Sequence, residues 1–169
     1  MIDVVKKIAT IINKDPEKIL LLIQANQNKK APEKPYATYT ELESKLDDTY
    51  NSVKREEKEG KVIETAKLYG EYPIQFDIYA DTQEEARKKA TELWEKIVYK
   101  MRYSVWHIEK IGICNTTAPK ALPAFLTAKY EYRYMFVITF SYLNEVTREI
   151  TFVEKIKLTA NDKKEEIGG

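Results

Sequence analysis

Residues 130–142 read YEYRYMFVITFSY, and their alternation decides the fold. Tyr130, Tyr132, Tyr134, Phe136, Ile138, Phe140 and Tyr142 fall on one side of an extended chain. Glu131, Arg133, Thr139 and Ser141 fall on the other, joined by Met135 and Val137. A period of two in aromatic and β-branched residues marks a half-buried strand. Downstream, Asn144-Glu145 is placed to close a tight hairpin. Val146–Leu158 then returns with Ile150, Phe152, Ile156 and Leu158 on one face, and the polar stretch Ala160–Gly169 is expected to fray.

The same alternation appears earlier, where Tyr72, Ile74, Phe76 and Ile78 are interleaved with Pro73, Gln75, Asp77 and Tyr79. Pro73 lacks an amide hydrogen, so an edge position or the start of a strand is expected for it. Directly after this strand, Asp81-Thr82 stands where an N-cap belongs, and Thr82-Gln83-Glu84-Glu85 has capping-box spacing. Ala86, Ala90, Leu93, Ile97 and Met101 recur every three or four residues, and Trp94 and Val98 widen the stripe. A helix over Asp81–Met101 with such a stripe must lie on a sheet.

The remaining segments fill in an α+β plan. Val4, Val5, Ile8, Ile11 and Ile12 predict a helix over Ile2–Asn13 that Asp15-Pro16 ends. The run Lys18–Ala25 is too short and uniform for periodicity to decide between a buried strand and a second short helix, with a strand over Leu21–Ala25 the preferred reading, and Asn26–Pro35 reads as a loop. Tyr36–Leu46 and Tyr50–Glu56 are strand candidates, with Asp47-Asp48 a turn or bulge between them. A short strand is expected around Ile108–Ile113. The expected fold class is thus α+β: a single domain over residues 1–159, an antiparallel β-sheet with helices packed on one face, and a long β-hairpin extension.

Two segments stand out as candidate contact sites. Lys54, Arg55, Glu56, Glu57 and Lys58 open the charged run KREEKEGK at residues 54–61, either a solvated hairpin tip or a docking loop. Residues 115–126 read NTTAPKALPAFL, an irregular loop that nonetheless carries Pro119, Leu122 and Phe125. It is either packed on its own domain or reserved for a partner.

Composition limits the function classes. The 169 residues are 43% hydrophobic and 33% charged, enough for a core and a well-solvated surface. Lys and Arg total 28 against 27 Asp and Glu, so the basic excess that phosphate binding requires is missing. One cysteine, Cys114, permits no internal disulfide, and one histidine, His107, permits no multi-histidine metal site. A Cys114–His107 nucleophilic pair lacks a third group and an oxyanion motif. No phosphate-binding glycine motif or nucleophile elbow occurs. The N-terminus lacks a secretory pattern and no apolar run reaches membrane-spanning length, so folding in a reducing cytoplasm is expected.

The order of these features resembles phage neck terminator or tail-completion proteins. The resemblance is carried by Gln24-Ala25-Asn26-Gln27-Asn28, then Ala31-Pro32 and Pro35-Tyr36-Ala37-Thr38-Tyr39. The strand Tyr72–Tyr79, the capped helix Asp81–Met101 and the aromatic hairpin Tyr130–Leu158 follow in order, so the match spans Met1–Leu158. The resemblance implies a structural virion protein without catalytic residues, metal or cofactor: a homo-oligomer, expected as a hexameric ring, that caps the tail tube and joins it to the head. Its implied partners are the tail tube protein and the head-tail connector, with DNA passing through the lumen without sequence-specific binding and no membrane involved. A head-tail connector or stopper, and a monomeric ligand- or peptide-binding module, remain alternatives. The two contact segments are expected to touch adjacent rings.

Overall fold

The computed structural model describes residues 3–27, 30–122, 124–126 and 129–150. In chain order, α1 (Val4–Lys14) is followed by β1 (Leu21–Gln24), β2 (Tyr36–Glu41), β3 (Lys45–Lys58) and β4 (Lys61–Ala80). Then come α2 (Gln83–Glu95), π-helical turns at Lys96–Lys100 and Arg102–Trp106, β5 (Ile111–Thr116), β6 (Lys120–Ala121), β7 (Ala124–Leu126) and β8 (Lys129–Ile150). The sheet order is β1-β2-β4-β8-β5; β3 continues on the β2 side of β4, while β6 and β7 pair with β8. Only β1–β2 is parallel among these pairings.

The aromatic alternation does what its period demands. Phe76 and Phe136 are paired across β4 and β8 and stack at 5.1 Å, and Ile74, Ile78, Ile138 and Phe140 are buried on the same face. Both helices lie on that face. Asp3 caps α1 by accepting from the Lys6 amide at 3.0 Å, and Val4, Val5, Ile8 and Ile12 are buried beneath it. Thr82 caps α2 by accepting from the Glu85 amide at 3.2 Å, and Ala86, Ala90 and Leu93 are buried. Lys96 ties the two helical regions together: its Nζ donates to Asp15 Oδ1 at 2.8 Å and to the Glu17 carbonyl. That bond holds the Asp15 carboxyl below its ordinary range.

Several expectations are corrected. Asn144-Glu145 is not a turn: β8 runs straight through it, pairing Asn144 with Leu68 and Glu145 with Lys67. Of the expected return strand, residues 151–158 lie outside the described residues, as does the stretch Ala160–Gly169. Pro73 sits in a central strand rather than at an edge. Its carbonyl accepts from the Leu42 amide at 2.9 Å, so its nitrogen faces the joint between β2 and β3, where no amide partner is required. Asp47-Asp48 lies within β3, at a register shift between Leu46 and Tyr50, so the bulge alternative holds.

The helix after Thr82 also outruns its expected end. Val105 and Trp106 belong to the second π-helical turn, and the strand begins only at Ile111. Nine residues separate Ile97 from Trp106, which in an α-helix at 100° per residue would face opposite ways. Winding closed i→i+5, roughly 4.4 residues per turn, brings them onto one side. Trp106 is accordingly buried, with Nε1 donating to the Ile97 carbonyl at 2.8 Å and its ring edge-on to Phe140 at 5.5 Å. The expected irregular loop at residues 115–126 contains two short strands, β6 and β7, that lie along the edge of β8.

Phe136 fills the centre of this core, so Phe136→Ala is expected to cost about 4 kcal/mol of unfolding free energy. Lys96→Ala leaves Asp15 and the Glu17 carbonyl without their charged donor and is expected to cost about 2 kcal/mol. Urea titration followed by tryptophan fluorescence checks both values.

Candidate functional site

The helix-backed core ends at Tyr72 and Tyr142, yet β4 and β8 continue together to Val62 and Ile150. With β3 they form a three-stranded arm, about 20 Å long from Leu68 to Lys61 at ~3.3 Å per residue. Its root is built by three residues. The Tyr72 ring lies across Gly70, where an added Cβ would come within 2.7 Å of the hydroxyl oxygen, and that oxygen accepts from Asn144 Nδ2 at 2.6 Å. Asn144, read from sequence as a turn former, is therefore buried in the strand. The arm's tip is the two-residue turn Glu59-Gly60, whose φ values of 53° and 76° suit a primed hairpin turn.

Cross-strand rows organise the arm. On the face continuous with the core, Val53, Ala66 and Val146 form one row and Arg55, Glu64 and Arg148 the next. Glu64 accepts from Arg55 Nε at 2.8 Å and from Arg148 Nε at 2.7 Å, and Arg148 Nη2 stands 2.6 Å from the same carboxylate. The Arg55 hydrogen bond first, and Arg148 second, hold the Glu64 carboxyl below its usual range. Glu64 is shielded by these two guanidinium groups, which are themselves exposed, so it is covered without being deep in an apolar interior. On the opposite face Lys61 pairs with Glu149 and Lys67 with Glu145, each at 3.1 Å, while Glu56 holds Lys54 and Lys58.

The structure separates the sequence-predicted contact residues into two groups. Lys54, Arg55, Glu56, Glu57 and Lys58 all lie on β3 near the tip. Pro119 and Leu122 flank β6 and are half-buried, the Leu122 amide donating to the Arg133 carbonyl at 2.8 Å; Phe125 pairs with Tyr130 through β7. Between Glu131, opposite Ala124, and Ile150, opposite Val62, β8 advances about 60 Å at ~3.3 Å per residue. The two groups therefore mark opposite ends of the sheet. Sequence reasoning missed Glu64, Glu145, Arg148 and Glu149. The signal that could have found them is the alternation itself, which continues past Asn144 through Val146, Arg148 and Ile150.

His107 and Cys114 are both exposed, and the Cys114 sulfur lies 3.1 Å from the Tyr69 hydroxyl. This contact, with burial second, pushes the Tyr69 hydroxyl up to about 12. Among the described residues no three His, Cys, Asp or Glu side chains gather into a metal site, and no helix is long and apolar enough to cross a membrane. A cleft of about 560 Å³ opens at the arm's root, lined by the β8 edge from Tyr142 to Thr147 together with Lys67 and Lys110. The arrangement offers strand edges and paired charges, which suit contact with other protein chains.

The chain belongs to the phage neck terminator family, whose sequence pattern matches residues 3–165. A search of curated proteins finds no match. Membership makes this a structural protein of the phage neck, one that interacts with other tail or head proteins.

The Arg55–Glu64–Arg148 row makes the arm acid-sensitive. Glu64 has a lowered carboxyl pKa, so its contribution is complete above the ordinary value of about 4.5 and is lost as pH falls through the folded value. Amide protection factors in Ser52–Lys58 and Val62–Ala66, corrected for the pH dependence of the intrinsic rate, are expected to fall on acidification, and Glu64→Gln to reduce that pH dependence, with Glu56 carrying the remainder, while protection in the core strands is unchanged.

Proposed function

We propose that this chain is the ring-forming terminator subunit of the neck, capping the tail tube and joining it to the head. The observation that carries this reading is the separation of the two contact regions along β8. The hairpin tip bearing Lys54–Lys58 occupies one end, and Pro119, Leu122 and Phe125 lie toward the other, roughly 35 to 65 Å away along the strand at ~3.3 Å per residue. A subunit placed between two unlike assemblies needs two unlike ends. The tip suits one neighbour through its mixed charges, and the half-buried Pro119 and Leu122 beside β6 suit the other through apolar contact.

Six copies closing head-to-tail bring different patches of each subunit together, as a cyclic ring requires. The near-balanced charge, 28 basic against 27 acidic residues, supports a lumen through which DNA slides without being gripped. The ring assembles in the host cell and remains in the virion.

Light scattering across a range of concentrations is expected to give a mass near six subunits, and a monomer at every concentration would remove the ring. Deleting the arm beyond the Val53–Ala66 rung is expected to abolish head–tail joining in phage complemented with the variant. Normal joined particles by electron microscopy would sink the assignment of the tip.

A further inference from the structure

The arm has two flanks whose partners the described residues do not supply. β3 pairs only with β4, leaving its outer edge open, and β5 stops at Ile111 opposite Tyr142, leaving β8 open from Leu143 to Ile150. The cleft at the root lies where a strand continuing the line of β5 would run. The apolar row does not end before these edges: Ala66 in its middle is 7% exposed, but Val53 and Val146 at its ends are 49% and 43% exposed. Open backbone edges with apolar side chains are sites for strand addition.

We propose that these two edges are each other's partners, the β8 edge of one copy adding to the β3 edge of the next so that the arms form one continuous sheet around the ring. The proposal rests on the ring reading and specifies its interface. Its occupant is a second copy of this chain for two reasons. First, β3 and β8 are both antiparallel to β4 and hence parallel to each other. One edge meets the other with every arm pointing the same way, which is the geometry of cyclic closure.

Second, the charges along the edges select a register. If Arg148 of one copy stands opposite Glu57 of the next, then Glu145 meets Lys54 and Glu149 meets Lys58. Val146 then faces Arg55 and Thr147 faces Glu56, with no like charges opposed. All these pairs keep the faces matched, because residues 57 and 148 lie on the core-side face while residues 54, 58, 145 and 149 lie on the other. Sliding by two residues to set Arg148 opposite Arg55 instead opposes Glu149 to Glu56 and loses every complementary pair. Sliding two further, Arg148 opposite Val53, retains only Glu149 with Lys54. Oppositely charged cross-strand pairs stabilise and like pairs destabilise, so the sequence singles out one offset.

A disulfide scan tests this directly. In a Cys114→Ser background, Glu56→Cys combined with Thr147→Cys is expected to give a ladder of covalent oligomers up to the ring under mild oxidation. Within one arm these positions sit on strands two apart and offset, about 10 Å or more, too far for an internal bridge. Either single substitution should give dimers at most. Independently, Glu57→Lys, at a residue with no ion pair in its own arm among the described residues, is expected to raise the concentration needed for assembly roughly tenfold by opposing Arg148 of the next copy, and Glu57→Gln to raise it less. A ring of unchanged mass with no ladder and no response to charge reversal would overturn the edge pairing alone and place another segment on the β8 edge. A monomer in every variant and at every concentration would overturn the ring and the pairing together.

Discussion

The constraint on which the molecule depends is the unbroken register between β4 and β8, from Val62 opposite Ile150 to Ala80 opposite Tyr132. A slip of one residue would turn Phe76, Phe136, Ile138 and Phe140 out of the core and bring charged residues in. The buried half of this ladder therefore sets the position of every residue in the exposed half. Val146 meets Ala66 and Arg148 meets Glu64 because Phe136 meets Phe76 further down. The hydrophobic effect acting at one end of the strands specifies the polar pairing at the other.

That arrangement lets a lightly supported arm stay ordered. A hairpin alone is marginal in water, and a third strand is needed before a sheet holds. Here β8 supplies it, the Tyr72–Asn144 hydrogen bond closes the core at the root, and the Arg55–Glu64–Arg148 row spans all three strands. Exposed ion pairs individually contribute little. A row of them on strands already in register favours one alignment over its neighbours.

Membership of the phage neck terminator family places the chain in a structural role. The fold is compatible with that role: two long strands run past the helix-backed core into the arm while the helices stay on one face. Cys114 is exposed and held against Tyr69, and His107 is exposed.

Much of this was legible in sequence. Period-two alternation located the buried faces of β4 and β8, and Thr82 with Glu85 located the start of α2, because such signals arise from residues that touch within one element. The charged run at Lys54–Lys58 was legible as a hairpin near its tip for the same reason. What required the tertiary structure was every choice made by a neighbour across the sheet. Asn144-Glu145 has turn chemistry, yet Tyr72 and Lys67 across the ladder hold it extended. Pro73 is tolerated centrally only because β2 ends and β3 begins beside it. Trp106 reaches the core only because the helix widens over Phe140, a departure that a 3.6-residue period cannot show. By itself the sequence determined which faces are apolar and where chain direction can change, since both are local properties. The tertiary structure alone decided how far β8 runs and which charges share a rung, since those depend on residues distant in sequence competing for the same hydrogen bonds.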